Sequence, residues 1–514
     1  MVRSLALLCI ALASGCASLP SLEGRSTTYA YADTAHTRLG EALAPALASN
    51  PGKTGIHSLP DGREAFAARV VLAGAAQRSI DAQYYIWHPD QTGLLMLEAL
   101  LNAARRGARV RMLLDDQNTS GLDSLIAALG SEPNIEVRLY NPFAIRKGRA
   151  LNLGDFERLN RRMHNKAFIV DGQAAIVGGR NIGNEYFDAV TDVPFKDLDV
   201  IAIGPAVREI SAQFDLFWNS ASAYPAPALV GPPPPEAAAQ LAARFDANRV
   251  QPESRAYLDA VSTTPIVTAL LERRLAIEWT EARLVLDDPA KTLDPSRKDV
   301  LLLTDLFEGN ERPRSTLDLV SPYFVPGDKG TAFLEKLANA GVRIRVLTNS
   351  LAATDVAVVH SGYAKRRCQL ARAGVHLYEL TPSPGTTQER ERHDSGLAGS
   401  GSTSASSLHA KTYSTDGDRI FVGSFNFDPR SALLNTEMGL VIRSAALAGR
   451  LTTFFDHSVP GMAYEVRAKA DGGCLEWIER TADGEVRHET EPGIGWAQRA
   501  WVGFLSLLPI DWML

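Results

Sequence analysis

The chain has 514 residues, with 53 lysines and arginines against 59 aspartates and glutamates, and its net charge is −6. That length suffices for roughly two to four domains, and the acidic balance argues against a protein that coats nucleic acid. Four cysteines in so long a chain exclude a disulfide scaffold, and the lack of any uninterrupted apolar run of about 18 residues excludes a polytopic membrane protein.

The first residues have the pattern of a lipoprotein signal. Arg3 supplies a positive charge, residues 5–13 form an apolar run too short to span a bilayer, and small residues then precede Cys16. We expect residues 1–15 to be a signal peptide, Cys16 to carry the lipid, and residues 16–55 to form an N-terminal linker. The alternative is a plain secretory signal cleaved nearby. Either signal directs the mature protein out of the cytoplasm.

An internal duplication dominates the next part of the chain. Residues 80–116 contain the strand-like run IDAQYYIW, an amphipathic run, and a second strand-like run, and residues 317–350 repeat that order from LDLVSPYFV onward. A strand, a helix and a second strand in this order are typical of a parallel β-α-β unit. We therefore expect an α/β protein with two similar α/β/α domains, 56–224 and 301–450, related by pseudo-two-fold symmetry. Each would have a mixed sheet flanked by helices.

The connecting and terminal segments have distinct compositions. A Pro/Ala-rich stretch at 225–243 predicts that 225–300 is a linker and connecting segment. The Gly/Ser-rich run 395–407 predicts a mobile loop at the mouth of a site. Residues 451–514 form a C-terminal segment whose end is rich in tryptophan and leucine. That end is either an interfacial helix on a membrane or a cap on the second core.

Each half also carries the same short motif. In the first half His164 is followed by Lys166, Asp171 and Asn181 at offsets of 2, 7 and 17 residues. The second half repeats these offsets 245 residues later, with His409, Lys411, Asp416 and Asn426. One His-x-Lys would occur by chance in many proteins. Two complete copies, each after a matching β-α-β pattern, predict one composite site built from both halves.

The residue types of this motif favour phosphodiester chemistry without a metal or other cofactor. The ammonium in His-x-Lys has no lone pair, so the motif lacks the spacing of a metal site. Two imidazoles and two ammoniums suit the oxygens of a phosphodiester as charge builds up on them. One imidazole can attack phosphorus while the other protonates the leaving oxygen.

This pattern resembles the phospholipase D superfamily over nearly the whole mature chain. Further runs, including RRMHNKAFIVDG, GGRNIGNEYF, DLDVIAIGPAV, LTNSLAATDVAVVHSGYAK and GSFNFDPRSALLNTEMG, resemble the cardiolipin synthase C branch of bacterial phosphatidyltransferases. The resemblance implies that phosphatidylethanolamine donates a phosphatidyl group to phosphatidylglycerol. The lipoprotein-like signal, which is separate from this resemblance, predicts a membrane-anchored lipoprotein in the bacterial cell envelope that faces the periplasm and works at a membrane surface. The acidic charge, this anchor and the Trp-rich end argue against a nucleic acid partner.

The resemblance also implies roles for individual residues. His164 would be the nucleophile that forms a covalent phosphohistidine, and His409 would be the general acid and then the base. Asp197 and Glu437 would each bond the histidine of the opposite half, although either could be an ordinary acid at a strand end. Asp171 and Asp416 complete the motif and would tie down a loop. The residues expected to hold phosphate oxygens are Lys166, Lys411, Asn181, Asn426 and Ser424.

Several alternatives stay open from the sequence alone. Phosphatidyl transfer and phospholipase D hydrolysis to phosphatidic acid share the same covalent step, and the acceptor decides between them. A nuclease or a non-catalytic lipoprotein agrees less well with the acidic charge and with two intact motifs. If Cys16 is acylated, Cys368 and Cys474 could form one disulfide, but their sequence spacing does not establish whether they are close enough.

Overall fold

The computed structural model of the protein describes residues 18–189, 197–294, 312–354, 356–382 and 408–507, together with the single residues 296, 302 and 306. The expected lipidation site Cys16 and the Gly/Ser-rich run 395–407 lie outside these residues. Each half of the chain builds one large sheet. Within the described residues, no helix is both long enough and apolar enough to cross a membrane.

The described residues of the first sheet form nine strands. In chain order they are β1 (Thr54–Leu59), β2 (Ser79–Tyr84), β3 (Arg109–Asp115), β4 (Ile135–Tyr140), β5 (Ala167–Val170), β6 (Ala174–Gly178), β7 (Asp199–Ile203), β8 (Ala223–Pro225) and β9 (Glu278–Thr280). Their spatial order is β8-β4-β3-β2-β5-β6-β7-β1-β9. The central strands β2, β3 and β4 are parallel, and the remaining neighbours pair antiparallel.

In the second sheet, ten strands lie within the part of the chain that the structure describes. They are β10 (Ala282–Leu286), β11 (Thr316–Val320), β12 (Arg343–Asn349), β13 (His376–Leu380), β14 (Thr412–Thr415), β15 (Arg419–Gly423), β16 (Met438–Arg443), β17 (Ala463–Ala468), β18 (Leu475–Thr481) and β19 (Gly484–His488). Their spatial order is β10-β16-β15-β14-β11-β12-β13-β17-β18-β19. Here β11, β12 and β13 are the parallel strands.

The two sheets share a common core of six strands. The order β4-β3-β2-β5-β6-β7 in the first corresponds to β13-β12-β11-β14-β15-β16 in the second. Even a buried ion pair is repeated, because Arg111 binds Asp81 between β3 and β2, and Arg345 binds Asp318 between β12 and β11. Both sheets are therefore mixed, and the predicted duplication of an α/β domain is confirmed.

Helices cover the faces of both sheets and form the crossovers between parallel strands. In chain order they are α1 (Arg38–Ser49), α2 (Gly62–Ala75), α3 (Gln91–Arg105), α4 (Asp123–Gly130), α5 (Phe156–Leu159), α6 (Pro205–Trp218), α7 (Pro227–Val230), α8 (Ala237–Val250), α9 (Pro252–Ser262), α10 (Pro265–Leu271), α11 (Ala290–Leu293), α12 (Gly327–Asn339), α13 (Ala357–Ala364), α14 (Arg367–Arg372), α15 (Pro429–Leu433), α16 (Ala445–Thr453), α17 (Val459–Met462) and α18 (Trp496–Ser506).

The crossover helix α3 illustrates why the sequence folds in this way. Asp90 caps its start, since the carboxylate accepts a hydrogen bond from the Gly93 amide. Leu94, Leu97 and Leu101 recur at helical spacing and are buried against the sheet. The matching crossover in the second half is α12, between β11 and β12.

One hydrophobic cluster joins the two halves. It includes Val177 and Val200 of the first sheet and Val422 and Leu440 of the second, so β6 and β7 face β15 and β16 across a shared core. A parallel bridge between Met163 and Thr436 also crosses this boundary. Because Met163 directly precedes the first motif, the motif-bearing ends of the two sheets meet here.

The segments outside the two expected domains are more ordered than a linker. Within 225–300, helices α8, α9 and α10 pack on the first half and bury Phe245, Tyr257 and Val261. Strand β9 joins the first sheet and β10 joins the second. The C-terminal segment 451–514 adds β17, β18 and β19 to the second sheet. The Pro/Ala-rich composition concealed these helices, whose apolar residues are widely spaced.

A disulfide links Cys368 in α14 to Cys474, which directly precedes β18. The two Cα atoms are 5.6 Å apart, and 106 residues separate the cysteines in sequence. This contact resolves the pairing that the sequence left open. The disulfide attaches the C-terminal strands to α14.

Candidate active site

The two motif histidines lie immediately before matching strands. His164 and Lys166 precede β5, and His409 and Lys411 precede β14, so each motif begins just before a strand. The approach to His164 is fastened to the other half, because the His164 amide donates to the Thr436 carbonyl at 2.9 Å. Both halves therefore set the position of the first histidine.

A buried ion pair holds the residues before His164. Arg162 donates to Asp115 at the end of β3, and the same carboxylate accepts a hydrogen bond from the Met163 amide at 2.8 Å. All three groups are buried. The backbone that presents His164 is thus tied to a strand of its own sheet as well as to the opposite half.

Each histidine pairs with a carboxylate from the other half. His164 Nδ1 lies 2.8 Å from Glu437 Oε2, and His409 Nδ1 lies 2.5 Å from Asp197 Oδ2. This is the crossed arrangement that the resemblance implied. A carboxylate on Nδ1 favours the tautomer that protonates this nitrogen, which leaves Nε2 to face the reacting group. The geometry therefore joins the two motifs into one site.

The two carboxylates have different surroundings. Burial raises the pKa of Glu437 to about 7, although the Lys166 ammonium and the Ser424 hydroxyl oppose this effect. Burial would also raise the pKa of Asp197, but the charge and the hydrogen bond of His409, together with Lys411, outweigh it and lower that pKa to about 2. Asp197 is consequently ionised at neutral pH, whereas Glu437 is close to its midpoint.

Ser424 and Gly179 occupy equivalent positions in the two motifs and differ for a physical reason. The Ser424 hydroxyl, which the resemblance assigned to phosphate oxygens, donates to Glu437 Oε2 at 2.5 Å. At Gly179 a Cβ atom would lie only 2.1 Å from Asp197 Oδ1. The shorter aspartate therefore needs a glycine beneath it, while the longer glutamate has room for a hydroxyl partner.

The motif lysines are anchored by their own histidines. Lys166 Nζ donates to the His164 carbonyl and Lys411 Nζ to the His409 carbonyl, each at 2.5 Å. An ammonium has three N–H donors, so the bond made by Lys166 leaves capacity for an anion's oxygens. Burial lowers the pKa of Lys166 to about 7, partly offset by the negative charge of Glu437. A bound anion would favour the protonated form.

The surroundings of both imidazoles in the protein favour their neutral form. Burial, followed by the positive charges of Lys166 and Lys411, lowers the pKa of His164 well below its ordinary value. Burial and the charge of Lys411 also lower the pKa of His409, although Asp197 opposes them. Neutral imidazole is the form that can act as a nucleophile or as a base.

The two motif asparagines hold unpaired amide atoms near this cluster. Asn181 accepts a hydrogen bond from the Ile86 amide at 3.1 Å, and its buried Nδ2 has no partner among the described residues. In the second half it is Asn426 Oδ1 that lacks a partner within the same set. An unsatisfied buried amide costs stability, which suggests a ligand as the missing partner.

Asp171 and Asp416 lie on turns that follow the motif strands. Asp171 Oδ1 accepts from the Arg78 and Ser79 amides at 2.7 and 2.9 Å, and Asp416 Oδ1 accepts from the Ser315 amide at 2.7 Å. Both aspartates have a positive φ, of 52° and 55°. They connect each turn to the start of the neighbouring strand and lie away from the histidines.

Sequence reasoning did not identify two tyrosines and one ion pair. Tyr85 packs edge-to-face on His164 and Tyr186 on His409, with ring centroids 5.0 and 5.1 Å apart. Behind Glu437, its amide donates to Asp287, which also binds the buried Lys291. Tyr85 follows a predicted strand, which could have indicated it. No sequence motif indicated the ion pair between Asp287 and Lys291.

The described part of the site shows no cluster that could hold a metal. Among the residues that the structure describes, no three or more histidine, cysteine, aspartate or glutamate side chains come together in a suitable group. Its polar atoms are instead imidazole nitrogens, ammoniums, amides and two buried carboxylates. This set suits a phosphodiester anion flanked by two imidazoles.

Comparison with known proteins identifies the same two regions. Residues 71–218 and 311–459 match the family model described as cardiolipin synthase, PLD-like domain. The chain is 44% identical over 480 residues to cardiolipin synthase C of Escherichia coli (strain K12), covering 93% of this chain and all of that protein. An uncharacterized protein of Helicobacter pylori (strain ATCC 700392 / 26695) is 32% identical, over 85% of this chain and 86% of the relative.

A solved structure shares the fold. The phosphatidylserine synthase of Haemophilus influenzae Rd KW20 is 12% identical, with a TM-score of 0.55 over 92% of this chain and 100% of that one. The two family-matched regions together cover more than half of the chain, and each contains one complete motif. The protein belongs to the cardiolipin synthase family of phospholipase D-like enzymes.

Proposed function

We propose that the protein synthesises cardiolipin by moving a phosphatidyl group from a donor phospholipid to phosphatidylglycerol. The observation that carries this proposal is the crossed pairing of His164 with Glu437 and of His409 with Asp197. It supplies two oriented imidazoles to one phosphodiester. The 44% identity to cardiolipin synthase C across that relative's full length supports lipid transfer over other phosphodiester reactions.

The first step forms a covalent phosphohistidine. His164 Nε2 attacks the donor's phosphorus, and the bond from phosphorus to the headgroup oxygen breaks. His409, which takes up a second proton on Nε2 once the anionic phosphodiester is bound, gives that proton to the leaving oxygen. As positive charge develops on the His164 ring, the Glu437 carboxylate stabilises it through Nδ1. The leaving alcohol is ethanolamine when the donor is phosphatidylethanolamine.

The second step reverses the proton transfer. His409, now neutral, removes a proton from a hydroxyl of phosphatidylglycerol, and that oxygen attacks phosphorus and displaces His164. The product is cardiolipin, and both histidines return to their starting forms. In both steps Lys166, Lys411 and Asn181 hold the non-bridging oxygens, where negative charge increases in the five-coordinate transition state.

Mass spectrometry of the lipid products tests this function. Purified protein is incubated with vesicles of phosphatidylglycerol, with and without phosphatidylethanolamine. We expect cardiolipin, in higher yield when phosphatidylethanolamine is present. Phosphatidic acid without cardiolipin would instead identify a phospholipase D that resolves the same intermediate with water. The His164→Ala variant should form neither cardiolipin nor phosphatidic acid, and this result would assign the activity to the site.

We also propose that helix α18 contacts the membrane from which the lipids come. Trp496, Trp501, Phe504 and Leu507 are each more than half exposed, and the Trp501 and Phe504 rings stack with centroids 5.8 Å apart. The opposite side of the helix is anchored, since Val502 and Leu505 are buried. Exposed aromatic side chains on one face of a short helix suit the headgroup boundary of a bilayer.

For location, we propose a lipoprotein on the periplasmic side of the cell envelope. The apolar run that ends at Cys16 supports acylation of this cysteine. The disulfide between Cys368 and Cys474 supports an oxidising compartment. The Cys16→Ser variant should remain unprocessed or be released from washed membranes. Normal processing and retention of that variant would contradict acylation at Cys16.

A further inference from the structure

The carboxylate that orients His164 is backed by a buried ion pair from the connecting segment. Asp287 directly follows β10, and Lys291 lies in the short helix α11. Lys291 Nζ donates to Asp287 Oδ2 at 2.9 Å, and the two side chains are at most 2% exposed. Because the loss of hydration offsets most of the attraction between buried charges, such a pair adds little net stability. Its position behind Glu437 points to another role.

Asp287 holds the backbone of Glu437 through two hydrogen bonds. The Asp287 amide donates to the Glu437 carbonyl at 2.9 Å, and the Glu437 amide donates to Asp287 Oδ2, also at 2.9 Å. The other carboxylate oxygen, Oδ1, accepts from the Leu302 amide at 2.7 Å. One lysine and two amides therefore fix the Asp287 carboxylate, and Asp287 in turn fixes the residue that pairs with His164.

Lys291 connects this arrangement to α15. Its Nζ also donates to the Ser431 carbonyl at 2.8 Å. The Ser431 hydroxyl favours the charged form of the Glu437 carboxylate, which burial disfavours more strongly. A single ammonium is thus bound to two residues that contact Glu437, one through its backbone and one through its side chain.

The first half also has a buried cation behind its crossed carboxylate, but from a different source. Arg180 is buried and donates to the Asp197 carbonyl at 3.0 Å. It directly precedes the asparagine of the first motif, and the second motif has Phe425 at that position. In the second half, Lys291 of the connecting segment supplies the cation behind Glu437. Non-equivalent residues therefore meet the same requirement in the two halves.

We infer that Lys291 and Asp287 are positioning residues for the reaction at His164, which act by holding Glu437 in place and by balancing its charge. The inference rests on the proposed function, in which His164 is the nucleophile, and adds two residues that act through Glu437. As the His164 ring becomes positive, a carboxylate stabilises it most when it is ionised and already oriented. The connecting segment then contributes to the reaction in addition to joining the two halves.

The two members of the pair affect the charge of Glu437 in opposite directions. Burial raises the pKa of Glu437 to about 7, and the ammoniums of Lys166 and Lys291 oppose this effect. Burial also raises the pKa of Asp287 to about 6; Lys291 opposes the increase, and the negative charge of Glu437 adds to it. Because repulsion is mutual, Asp287 disfavours the charged form of Glu437, whereas Lys291 favours it.

Three other titratable groups face Glu437. His164 and Lys166 approach it from the first half. Asp428 approaches it from the segment before α15, where burial, and then the charge of Glu437, raises the pKa of Asp428 to about 7. These groups are unchanged when Asp287 or Lys291 is substituted, so a difference between two such variants reports the charges of the pair.

The pH dependence of the first chemical step tests the inference. The substrate is the p-nitrophenyl ester of phosphatidic acid in detergent micelles, and the burst of nitrophenol is measured by rapid quench between about pH 5 and pH 9. This leaving group needs little protonation, so the burst rate constant should rise with pH as Glu437 loses its proton. The midpoint of that rise does not depend on the amount of folded enzyme.

The two test variants each remove one charge and keep a side chain that can form hydrogen bonds. Lys291→Gln should move the midpoint to higher pH and Asp287→Asn should move it to lower pH, each by about half a pH unit or more. The double variant should return close to the wild-type midpoint. Both single variants break the same ion pair, so a purely structural role does not predict shifts of opposite sign. Unshifted midpoints, or shifts in the same direction, would overturn the inference.

The matched control is Arg345→Gln, because Arg345 forms another buried ion pair, with Asp318 between β12 and β11. It should lose stability and keep the wild-type midpoint. If Lys291→Gln does not fold, Lys291→Met removes the same charge with an apolar side chain, and the same shift is expected. A wild-type protein that gave no burst would overturn the covalent step of the proposed function together with this inference. A wild-type burst with unshifted variants would overturn the inference alone.

Discussion

His164 Nδ1 and Glu437 Oε2 lie 2.8 Å apart, although the two residues belong to different halves of a duplicated chain. Asp197 reaches back across the same boundary to His409. Neither half on its own contains a histidine with its carboxylate, so the duplication has not produced two separate active sites. It has produced one site that is complete only when the sheets are packed together.

The two crossed carboxylates should affect stability at different pH values. The pKa of Glu437 is raised to about 7 in the folded protein, whereas its ordinary value, which holds in the unfolded chain, is 4.5. Between these two pH values the folded protein keeps a proton that the unfolded chain has lost. Stability therefore falls as pH rises between about 4.5 and 7. As the pH rises from 5 to 8, the free energy of unfolding of Glu437→Gln should increase by roughly 3 kcal/mol relative to that of wild type, measured by urea unfolding.

Asp197 should have the opposite effect on stability, over a different range of pH. Its pKa of about 2 lies below its ordinary value, so its contribution is present above about pH 4 and disappears as pH falls towards 2. Asp197→Asn should lower the free energy of unfolding by roughly 2 kcal/mol at neutral pH and by less below pH 4. Parallel pH dependences of the two variants would contradict these assignments. Both should lose most lipid transfer, because each histidine loses its orienting carboxylate.

Much of this site could be predicted because the signals were repeated. The β-α-β pattern and the equal His-x-Lys offsets occur twice, so each copy supports the interpretation of the other. The six-strand core follows from the same duplication. Residues such as Asp197 and Glu437 required the family resemblance, since a single acid at the end of a strand has no periodic pattern.

Other features depend on how the two halves pack together, which no local sequence pattern predicts. The contact of Ser424 with Glu437 follows from the length of a glutamate side chain in that position. The helices within 225–300 become stable only by burying residues such as Phe245 and Tyr257 against the first half. The disulfide depends on a Cα separation that sequence spacing does not determine.

The Cys368–Cys474 disulfide should contribute measurably to stability. It closes a loop of 106 residues, and cross-links of that length typically stabilise a folded chain by about 2–4 kcal/mol. We expect dithiothreitol to lower the free energy of unfolding of the wild-type protein by that amount. The Cys368→Ser/Cys474→Ser double variant should match the reduced wild type and show no response to dithiothreitol. Equal stability of oxidised and reduced wild type would contradict a structural role.

The aromatic face of α18 should hold the protein on lipid in the absence of an acyl anchor. In a Cys16→Ser background, Trp501→Ser/Phe504→Ser should weaken co-sedimentation with phosphatidylglycerol and phosphatidylethanolamine vesicles by about tenfold, because two half-exposed aromatic rings no longer enter the interface. Leu271→Ser is the matched control, since Leu271 is 69% exposed at the end of α10. Equal losses in both variants would indicate non-specific adsorption.

The division of labour between the two histidines can be measured with a donor that has a good leaving group. Both His164→Ala and His409→Ala should lose at least about 1000-fold in activity on natural lipids, so simple loss of activity cannot assign their roles. A p-nitrophenyl phosphodiester needs little protonation of its leaving oxygen, so the first step with this donor depends mainly on the nucleophile.

His409→Ala should therefore release a burst of about one nitrophenol per site and accumulate a phosphorylated His164, because the base for the second step is also missing. His164→Ala should show neither the burst nor the adduct. Peptide mass spectrometry at alkaline pH, where phosphohistidine survives, locates the modified ring. An adduct on His409 would reverse the two roles.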